Sequence, residues 1–584
     1  MIQHSRKRAL KIVRISLLII LVACTCCLLW AASCYKDYCI AHVGEVVRKA
    51  TKGEYSASIQ DVYVNIFTRR LTVSGLEFWP DSTRKVAQQE TGKHHIISVK
   101  LSVPRFQLDG VALWQLCLRK RLSVDHASIW NGKLLIVSTE RIVDSSKIIK
   151  SEKQSPTLKQ LLAGTIDIVS PDITFKYVGL DEKDRFTTSL KGGKAQLTDW
   201  LLDPEKEDTM HLLLAQKVVI DSASVVFDKR SMRYLIKAPN ICFNTEQHTL
   251  KVNGLGVHPY VNRETFYKEV GHRATIWNTD IEYFELLNFN WLQMLHNQTL
   301  WASHLNMSAP KMDLFFSYLI PSHPSNMIAE DPPRVFLQLP LKICLGKINV
   351  DKGHIGYTEV NETSHREGTI YFDGIKATGD NLTNIDTVIE GKKQFVASAE
   401  GTLLGRSKVN ATLTLTLTDL LGNFELKGHA VNISGQELRD PVEALAQVRI
   451  DSLNLKSMDL SIKGNQNYSE SKLGMNYTDL KLELVRAKAP PTLKAKPVVS
   501  EVASLLFLYK QNPEPSIAPR TSSAYMTRDE MAPYLSLIIK NMRIAIKEMV
   551  VKHPDLVGTV TNDKDLKSQK RGFLRRVFGK RKSK

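Results

Sequence analysis

The chain has 584 residues, a formal net charge of +19 and a hydrophobic content of 43%. These values allow a substantial core and several domains. Eight cysteines occur, but they form no CxxC pair. The composition therefore gives no support for a zinc site and excludes a disulfide-stapled scaffold.

The first predicted element is a membrane anchor. Five basic residues precede an uncharged apolar run at residues 15–33: Arg6, Lys7, Arg8, Lys11 and Arg14. About 18 to 20 apolar residues span a bilayer core as a helix, and a basic flank favours a cytoplasmic N-terminus. We therefore expect the remainder of the chain to lie on the far side of a membrane.

Two other interpretations of this run stay open. Ala31-Ala32-Ser33 offers a weak cleavage site for a secretory signal, although the run is long for a signal peptide. Leu21-Val22-Ala23-Cys24 resembles a bacterial lipobox, with Cys24 as the lipid acceptor. A lipidated chain would stay on a membrane, whereas a cleaved signal would release it.

After a short predicted helix at residues 41–51, period-two alternation dominates the chain. The clearest example is residues 411–418, where Leu413, Leu415 and Leu417 alternate with threonines. Such alternation predicts a strand with one buried and one solvated face. Runs of these strands without regular intervening helices predict a mainly antiparallel sheet.

Short, weakly similar segments recur along the chain and favour a repeated β architecture. Residues 71–76, 250–255 and 370–375 each place a glycine before a final apolar residue. Residues 124–129, 220–225 and 450–455 form a second set. We interpret each as a strand, a small kink and a return strand, without the regular spacing of a short-period solenoid.

Predicted helices are confined to connections and to the end of the chain. They lie at residues 157–163, at 288–298, from 441 onwards, and at 534–551, where apolar residues recur every three or four positions. The predicted domains are 1–40 (basic flank and anchor), 41–345 (N-terminal β region), 346–489 (C-terminal β region), 490–529 (proline-rich linker), 530–555 (amphipathic helix) and 556–584 (basic tail).

No residue pattern points to catalysis. The GxSxG, HExxH, GxxxxGK[ST] and strand-to-helix GxGxxG motifs do not occur. His94 and His95 lie in a polar loop, where solvation is commoner than metal binding. We therefore predict that the chain is not an enzyme and uses no cofactor or metal, although a site could still assemble in space.

The basic tail is a candidate membrane contact. Its predicted contact residues are Lys570, Arg571, Arg575, Arg576, Lys580, Arg581 and Lys582. Nucleic acid is not expected on the far side of a membrane, whereas anionic headgroups attract such a segment by about 1 kcal/mol per basic residue. A merely solvated tail is the alternative.

The order of parts resembles the AsmA-like proteins of bacterial envelopes. The similarity is carried by residues 58–62 and 71–76 after the anchor, then by residues 396–405, the Leu/Thr strand and residues 424–428. It continues through the segments at 440–441, 448–454 and 476–481, and Arg528-Asp529 before the terminal helix. Residues 140–340 match only in their β-rich character.

This resemblance implies a fold and a function. The implied fold is mainly β: an N-terminal transmembrane helix, then an elongated, curved antiparallel sheet forming a groove, few short helices and a C-terminal amphipathic helix. The implied location is the inner membrane, with the bulk of the chain in the periplasm. The expected partners are phospholipid or another envelope lipid, the membrane itself, and envelope proteins of either membrane.

Two functions are compatible with that layout. An apolar groove could bind or conduct phospholipid between membranes, with Leu413, Leu415 and Leu417 lining it. Alternatively, the chain could be a non-enzymatic assembly factor that binds outer-membrane proteins along an open sheet edge.

Overall fold

A computed structural model describes seventeen stretches of the chain. They are residues 35–51, 53–65, 68–81, 92–112, 121–143, 160–179, 184–202, 214–229, 233–322, 326–328, 331–339, 341–386, 394–417, 420–487, 493–495, 508–532 and 534–552. The predicted anchor at 15–33 with Cys24, and the tail contacts between Lys570 and Lys582, lie outside these residues. So do the side chains of His94 and His95.

The described residues are mainly β. Their strands are β1 (Tyr55–Ser58), β2 (Asp61–Asn65), β3 (Arg70–Pro80), β4 (Gly92–Asp109), β5 (Arg121–Trp130), β6 (Lys133–Val143), β7 (Gln160–Val169), β8 (Asp172–Val178), β9 (Asp184–Lys191), β10 (Lys194–Leu202), β11 (Ala215–Lys229), β12 (Tyr234–Asn244), β13 (Thr249–Pro259), β14 (Ile276–Leu287), β15 (Thr299–Ser317), β16 (Lys342–Val360), β17 (Glu367–Thr383), β18 (Gln394–Leu403), β19 (Ser407–Thr416), β20 (Phe424–Ser434), β21 (Val448–Gly464), β22 (Tyr468–Ala487), β23 (Leu493–Ala495) and β24 (Thr521–Thr527).

Six helices accompany these strands in the described part of the chain. They are α1 (Tyr35–Ala50), α2 (Arg263–Val270), α3 (Trp291–Asn297), α4 (Pro332–Leu337), α5 (Gly435–Ala446) and α6 (Tyr534–Val550). Helices predicted near residues 41–51, 288–298, 441–446 and 534–551 overlap α1, α3, α5 and α6, so the presence of these four helices is confirmed. The predicted start of α5 at Pro441 is wrong, because the helix begins at Gly435.

Several strands are halves of one longer strand. Within the pairings to β4, Trp130 at the end of β5 lies opposite Arg105, and Lys133 at the start of β6 lies opposite Ser102. The two strands therefore keep one register across a two-residue break. Strands β1 and β2 likewise share one register against β3. The consecutive strands β7 and β8 share one register against β10 and β9.

All these long strands form one sheet in which sequence neighbours are spatial neighbours. Most pairs are antiparallel, as the alternation predicts. The predicted antiparallel pairing does not hold at two junctions, because β5–β6 runs parallel to β7–β8 and β15 runs parallel to β16. The sheet is therefore mixed. A parallel neighbour needs a crossover connection, and helix α4 lies within the second crossover.

One predicted helix fails against this sheet, and the predicted linker and one predicted domain boundary both include paired strands. The helix predicted at residues 157–163 is wrong from residue 160 onwards, since β7 occupies Gln160–Val169 and pairs with β5 and β10. The proline-rich region at 490–529 is not only a linker, because β24 pairs with β22. The predicted domain boundary after residue 345 falls inside β16, which is hydrogen-bonded on both sides.

Helices cover the two ends of the sheet. Val43 and Val47 of α1 belong to one buried cluster with Val62, Val73 and the first strands. At the other end, Ala545 and Met549 of α6 pack in a cluster with apolar residues of β20–β22 and β24. None of the described helices is both long and apolar enough to cross a membrane.

Candidate functional site

One face of the sheet carries an unbroken row of small or apolar residues. Directly paired positions on neighbouring strands project from the same face. From the first strand to the last, the positions are Val62, Val73, Phe106, Ile129, Ile168, Ala195, Ile220, Phe243, Leu250, Leu286, Leu305, Ile348, Gly379, Ala397, Leu413, Leu426, Ile462, Ser471 and Ala524. We call this the long apolar row. Ser471 is the one hydroxyl residue among its positions.

The opposite face is polar at the adjacent positions. Starting from β12, the residues are Cys242, Lys251, Glu285, Asn306, Asn349, Thr378, Ser398, Thr412, Lys427, Ser461, Lys472 and Ser523. We call this the polar row. Thr412 and Ser398 hydrogen bond across it at 3.3 Å. Because one face is apolar and the other polar at these positions, the sheet is amphipathic from β12 to β24.

A second apolar row runs parallel to the first. Its positions are Val99, Ile136, Phe175, Thr188, Phe227, Ile236, Val257, Thr279, Met312, Ile355, Phe372 and Leu403. We call this the short apolar row. Phe186 stacks beside it, with its ring centroid 5.6 Å from that of Phe227. Ten of these twelve positions are apolar, so the apolar surface is wider than a single row.

A line of kinks separates the two rows. Ile348 and Ile355 are seven residues apart in β16, and their partners Leu305 and Met312 keep the same spacing in β15. An odd spacing would place them on opposite faces of a regular strand. A left-handed residue lies between them, Lys352 in β16, and a register shift occurs there. Such a bulge bends the strand and restores the apolar side chain to its face.

The kinks recur at neighbouring register positions in many strands. Their left-handed residues, with φ between 47° and 77°, are Gly75, Asn131, Ser170, Gly193, Ser222, Gly254, Ala309, Lys352 and Gly374. Buried apolar residues therefore stand three apart at some kinks, as Val73 and Leu76 do in one cluster. The sheet consequently bends along a line that crosses its strands.

The short apolar row is only partly buried in the middle of the sheet. Ile355 is 43% exposed and its partner Phe372 is 36% exposed, although both are large apolar side chains. Ile136, Phe175, Phe227 and the other central members of the short apolar row are also partly exposed. By contrast, Val62 at one end and Ile462 near the other are at most 2% exposed. The short apolar row is therefore accessible in the middle of the sheet, whereas Phe243, Leu286 and Leu305 of the long apolar row are at most 9% exposed there.

The three leucines predicted as lining residues occupy different places. Leu413 is a member of the long apolar row, and Leu415 lies beside it on the same face, opposite Phe395 and Phe424. Both leucines are partly exposed. Leu417 follows the end of β19 and is 3% exposed, so its side chain is packed inside the protein.

Sequence reasoning missed most of this face. The row residues of β3 to β17 stand in strands whose alternation is interrupted by the kinks, so period two is lost on reading through them. The sequence signal that could have located them is the repeated segment at residues 71–76, 250–255 and 370–375. Its glycines, Gly75, Gly254 and Gly374, are left-handed residues at the kinks.

Carboxylates such as Asp167 and Glu285 lie on the polar face, although Glu359 of β16 shares the face of Ile355. Burial raises the pKa of Asp167, but hydrogen bonds from Gln196 and His126 outweigh it and the pKa is lowered. Burial also raises the pKa of Glu285, but hydrogen bonds from Asn306 and Lys251 outweigh it and the pKa is lowered. These carboxylates stay ionised on the side away from the apolar rows. Among the residues that the structure describes, no cluster of three metal-ligating side chains occurs.

Comparison with known proteins gives no match. No family model fits the chain, and no curated protein sequence is similar to it.

Proposed function

We propose that this chain is a membrane-anchored lipid carrier of the AsmA-like type, in which the apolar face forms a groove that shelters acyl chains between membranes. The supporting observation is that neither apolar row contains a charged residue and that the short apolar row stays partly exposed in the middle of the sheet. A core that served only to hold the fold together would bury these side chains.

Contacts of α6 support a curved groove rather than a flat sheet. Arg543 lies 3.6 Å from Glu359 of β16, and Asn541 hydrogen bonds to Ser469 of β22 at 2.8 Å. In a flat sheet these two strand residues would be about 50 Å apart, given six strand spacings and thirteen residues along the strand. Two residues of one helix turn contact both. The sheet therefore wraps its apolar face inward.

The energetics suit an acyl chain. Each methylene removed from water contributes about 0.8 kcal/mol. A face that offers similar apolar surface at every strand lets a lipid move without re-exposing its chain, so no step costs much more than another. Polar headgroups can remain in water at the open side, since the apolar rows leave that side uncovered.

The size of the sheet is compatible with bridging a gap. Nineteen successive strand positions give eighteen spacings of about 4.8 Å, or about 85 Å along the sheet before curvature. The predicted anchor would fix one end at the inner membrane. The basic tail after α6 would bring the other end to anionic lipid, with inner- or outer-membrane proteins as further partners.

A photolabelling experiment tests the proposal. The full-length chain is placed in vesicles that contain phosphatidylethanolamine, phosphatidylglycerol and a phospholipid with a diazirine on its acyl chain. We expect adducts on row residues such as Leu413, Ile355 and Phe372, and none on the polar-row residue Thr412. Equal labelling of Leu413 and Thr412, or labelling of neither, would contradict a lipid groove.

The assembly-factor function remains a second candidate because of β24. Within the described residues this strand pairs only with β22, on one side, and Tyr525 on it is 63% exposed. A free strand edge can accept a further strand from another protein. A photo-crosslinker at Tyr525 that captured outer-membrane proteins, in a chain without lipid adducts, would favour this function.

A further inference from the structure

Helix α6 lies on the apolar face and hides its last strands. Ala545, Met549 and Leu537 of the helix are at most 1% exposed. Beneath them Leu473 is 1% exposed and Tyr477 is fully buried. Leu473 continues the same apolar surface that is open at Ile355 and Phe372. The helix therefore covers the apolar surface of the last strands, whereas the short apolar row of the central strands stays partly exposed.

The interface between α6 and the sheet contains polar atoms without partners. Asn541 is fully buried and donates to Ser469, but its Oδ1 accepts no hydrogen bond in the structure. The hydroxyl of Ser471, the polar member of the long apolar row, is also buried without a partner. Each such atom destabilises the packed state, because it has lost its hydrogen bonds to water. A permanent core would gain stability from apolar groups at both positions.

Polar contacts hold the helix at its margins. Arg543, which is 43% exposed, reaches Glu359, and Ser536 lies 3.4 Å from the hydroxyl of Tyr318. The segment before the helix is fixed more firmly, since Arg528 and Asp331 form an ion pair at 2.7 Å with both side chains at most 5% exposed. The helix is also held in its middle by a hydrogen bond from Ser522 to the Ala545 carbonyl at 2.7 Å, and at its end by one from the Tyr509 amide to the Val550 carbonyl at 2.9 Å, and its movement would break both.

We propose that α6 is a displaceable cover, which swings off the apolar face about the segment after Arg528 and so uncovers the last strands for lipid. The lipid consequence rests on the proposed function, whereas the movement itself does not. Uncovering Leu473 and its neighbours would extend the open apolar surface from the middle of the sheet to β24.

Native-state hydrogen exchange on the full-length chain tests the movement. We expect amides of α6 to exchange at least 100-fold faster than those of β20–β22 beneath it, because the helix opens without the sheet unfolding. Ser471→Ala removes an unpaired hydroxyl and should slow exchange of α6 several-fold. Equal protection of α6 and β20–β22, unaffected by Ser471→Ala, would show that the helix is a fixed part of the core.

Lipid photolabelling tests the consequence. Ala545→Asp places a charge in the buried contact and should raise labelling of residues 455–475 at least tenfold over the unmodified chain. Leu535→Asp, at an exposed position of the same helix, is the matched control and should leave it unchanged. Labelling at Leu413 without any gain at 455–475 in Ala545→Asp would overturn the cover and leave the groove intact. Loss of labelling at Leu413 as well would instead count against the proposed function.

Discussion

Leu415 and Thr414 are adjacent residues that face opposite sides of one strand. Leu415 lies opposite Phe395 and Phe424 on the apolar face, whereas Thr414 lies opposite Val396 and Glu425. Leu415→Asp places a charge where an acyl chain would lie, and we expect lipid photolabelling of β18–β20 to fall at least tenfold. Thr414→Asp carries the same charge on the other face and should label normally. Equal labelling of the two variants would show that β19 does not line a groove.

Gly374 and Gly474 allow the effect of backbone conformation to be measured apart from that of steric room for a side chain. A Cβ at either position would meet no atom within 4 Å, but Gly374 has φ +60° and Gly474 has no such constraint. Gly374→Ala should therefore destabilise the sheet by about 1–2 kcal/mol, because L-residues are strained in the left-handed region. Gly474→Ala should stabilise it by about 0.4–1 kcal/mol through the unfolded state. Urea unfolding followed by tryptophan fluorescence measures both, and equal midpoints would refute a strained kink.

Single residues show where sequence reasoning works and where it stops. Strict alternation places Leu413 and Leu415 on one face, and the structure shows the same. At the repeated segment around Gly75 the sequence indicates a kink, but the strand then continues as β3 to Pro80 instead of returning. Local pattern cannot distinguish a bulge from a turn, because the difference depends on whether the neighbouring strand β4 keeps pairing.

At the scale of elements, the Glu443 carboxylate of α5 forms ion pairs with two arginines outside the helix. Glu443 is 12% exposed and lies 2.9 Å from both Arg366 and Arg449. The Arg449 hydrogen bond is the largest influence on Glu443. It and the Arg366 contact lower the pKa of Glu443 from 4.5 despite burial. The ionised form is therefore favoured by folding.

The sign of the pH dependence follows from that direction. A carboxylate whose folded pKa is lowered stabilises the fold fully above about pH 4.5 and loses its contribution as the pH falls through the folded pKa. Glu443→Gln should destabilise the protein by about 1.5–3 kcal/mol at pH 7, and the deficit should shrink towards pH 3. Glu367→Gln, in an ion pair whose side chains are both 55% exposed, should cost less than about 1 kcal/mol. Urea-unfolding curves for the three proteins at several pH values check this, and a deficit independent of pH would contradict it.

The relative direction of neighbouring strands is harder to predict from the sequence than whether a segment is a helix or a strand. Helices α1, α3, α5 and α6 follow from local patterns, since capping residues and apolar spacing act over one or two turns. The parallel junctions at β5–β7 and β15–β16 depend on where a crossover returns the chain. Nothing in the alternation of either strand records its neighbour's direction. The helix expected at residues 157–163 failed for the same reason, because pairing of β7 on both sides outweighs local propensity.

At the scale of the whole molecule, the proposed function makes the apolar face a path for lipid. The long apolar row extends from β2 to β24, so a lipid that travelled along the whole sheet would cross each successive strand. Binding at one end requires only local apolar surface, whereas transfer requires continuity. A single charged position in the middle should therefore separate the two properties, provided that it does not unfold the protein.

Ile355, Phe372 and Val396 make that separation measurable. Their exposures are 43%, 36% and 36%, so substitution by lysine should destabilise the three variants to a similar and small extent. Ile355 and Phe372 lie in the short apolar row, but Val396 lies beside Ala397 on the opposite face. With the full-length chain in donor vesicles, Ile355→Lys and Phe372→Lys should each slow transfer of a fluorescent phospholipid to acceptor vesicles at least tenfold, while Val396→Lys should not. Photolabelling at strands on either side of the substituted position should persist, because those surfaces would remain apolar. If all three variants transferred lipid alike, the apolar face would not be the route by which lipid moves.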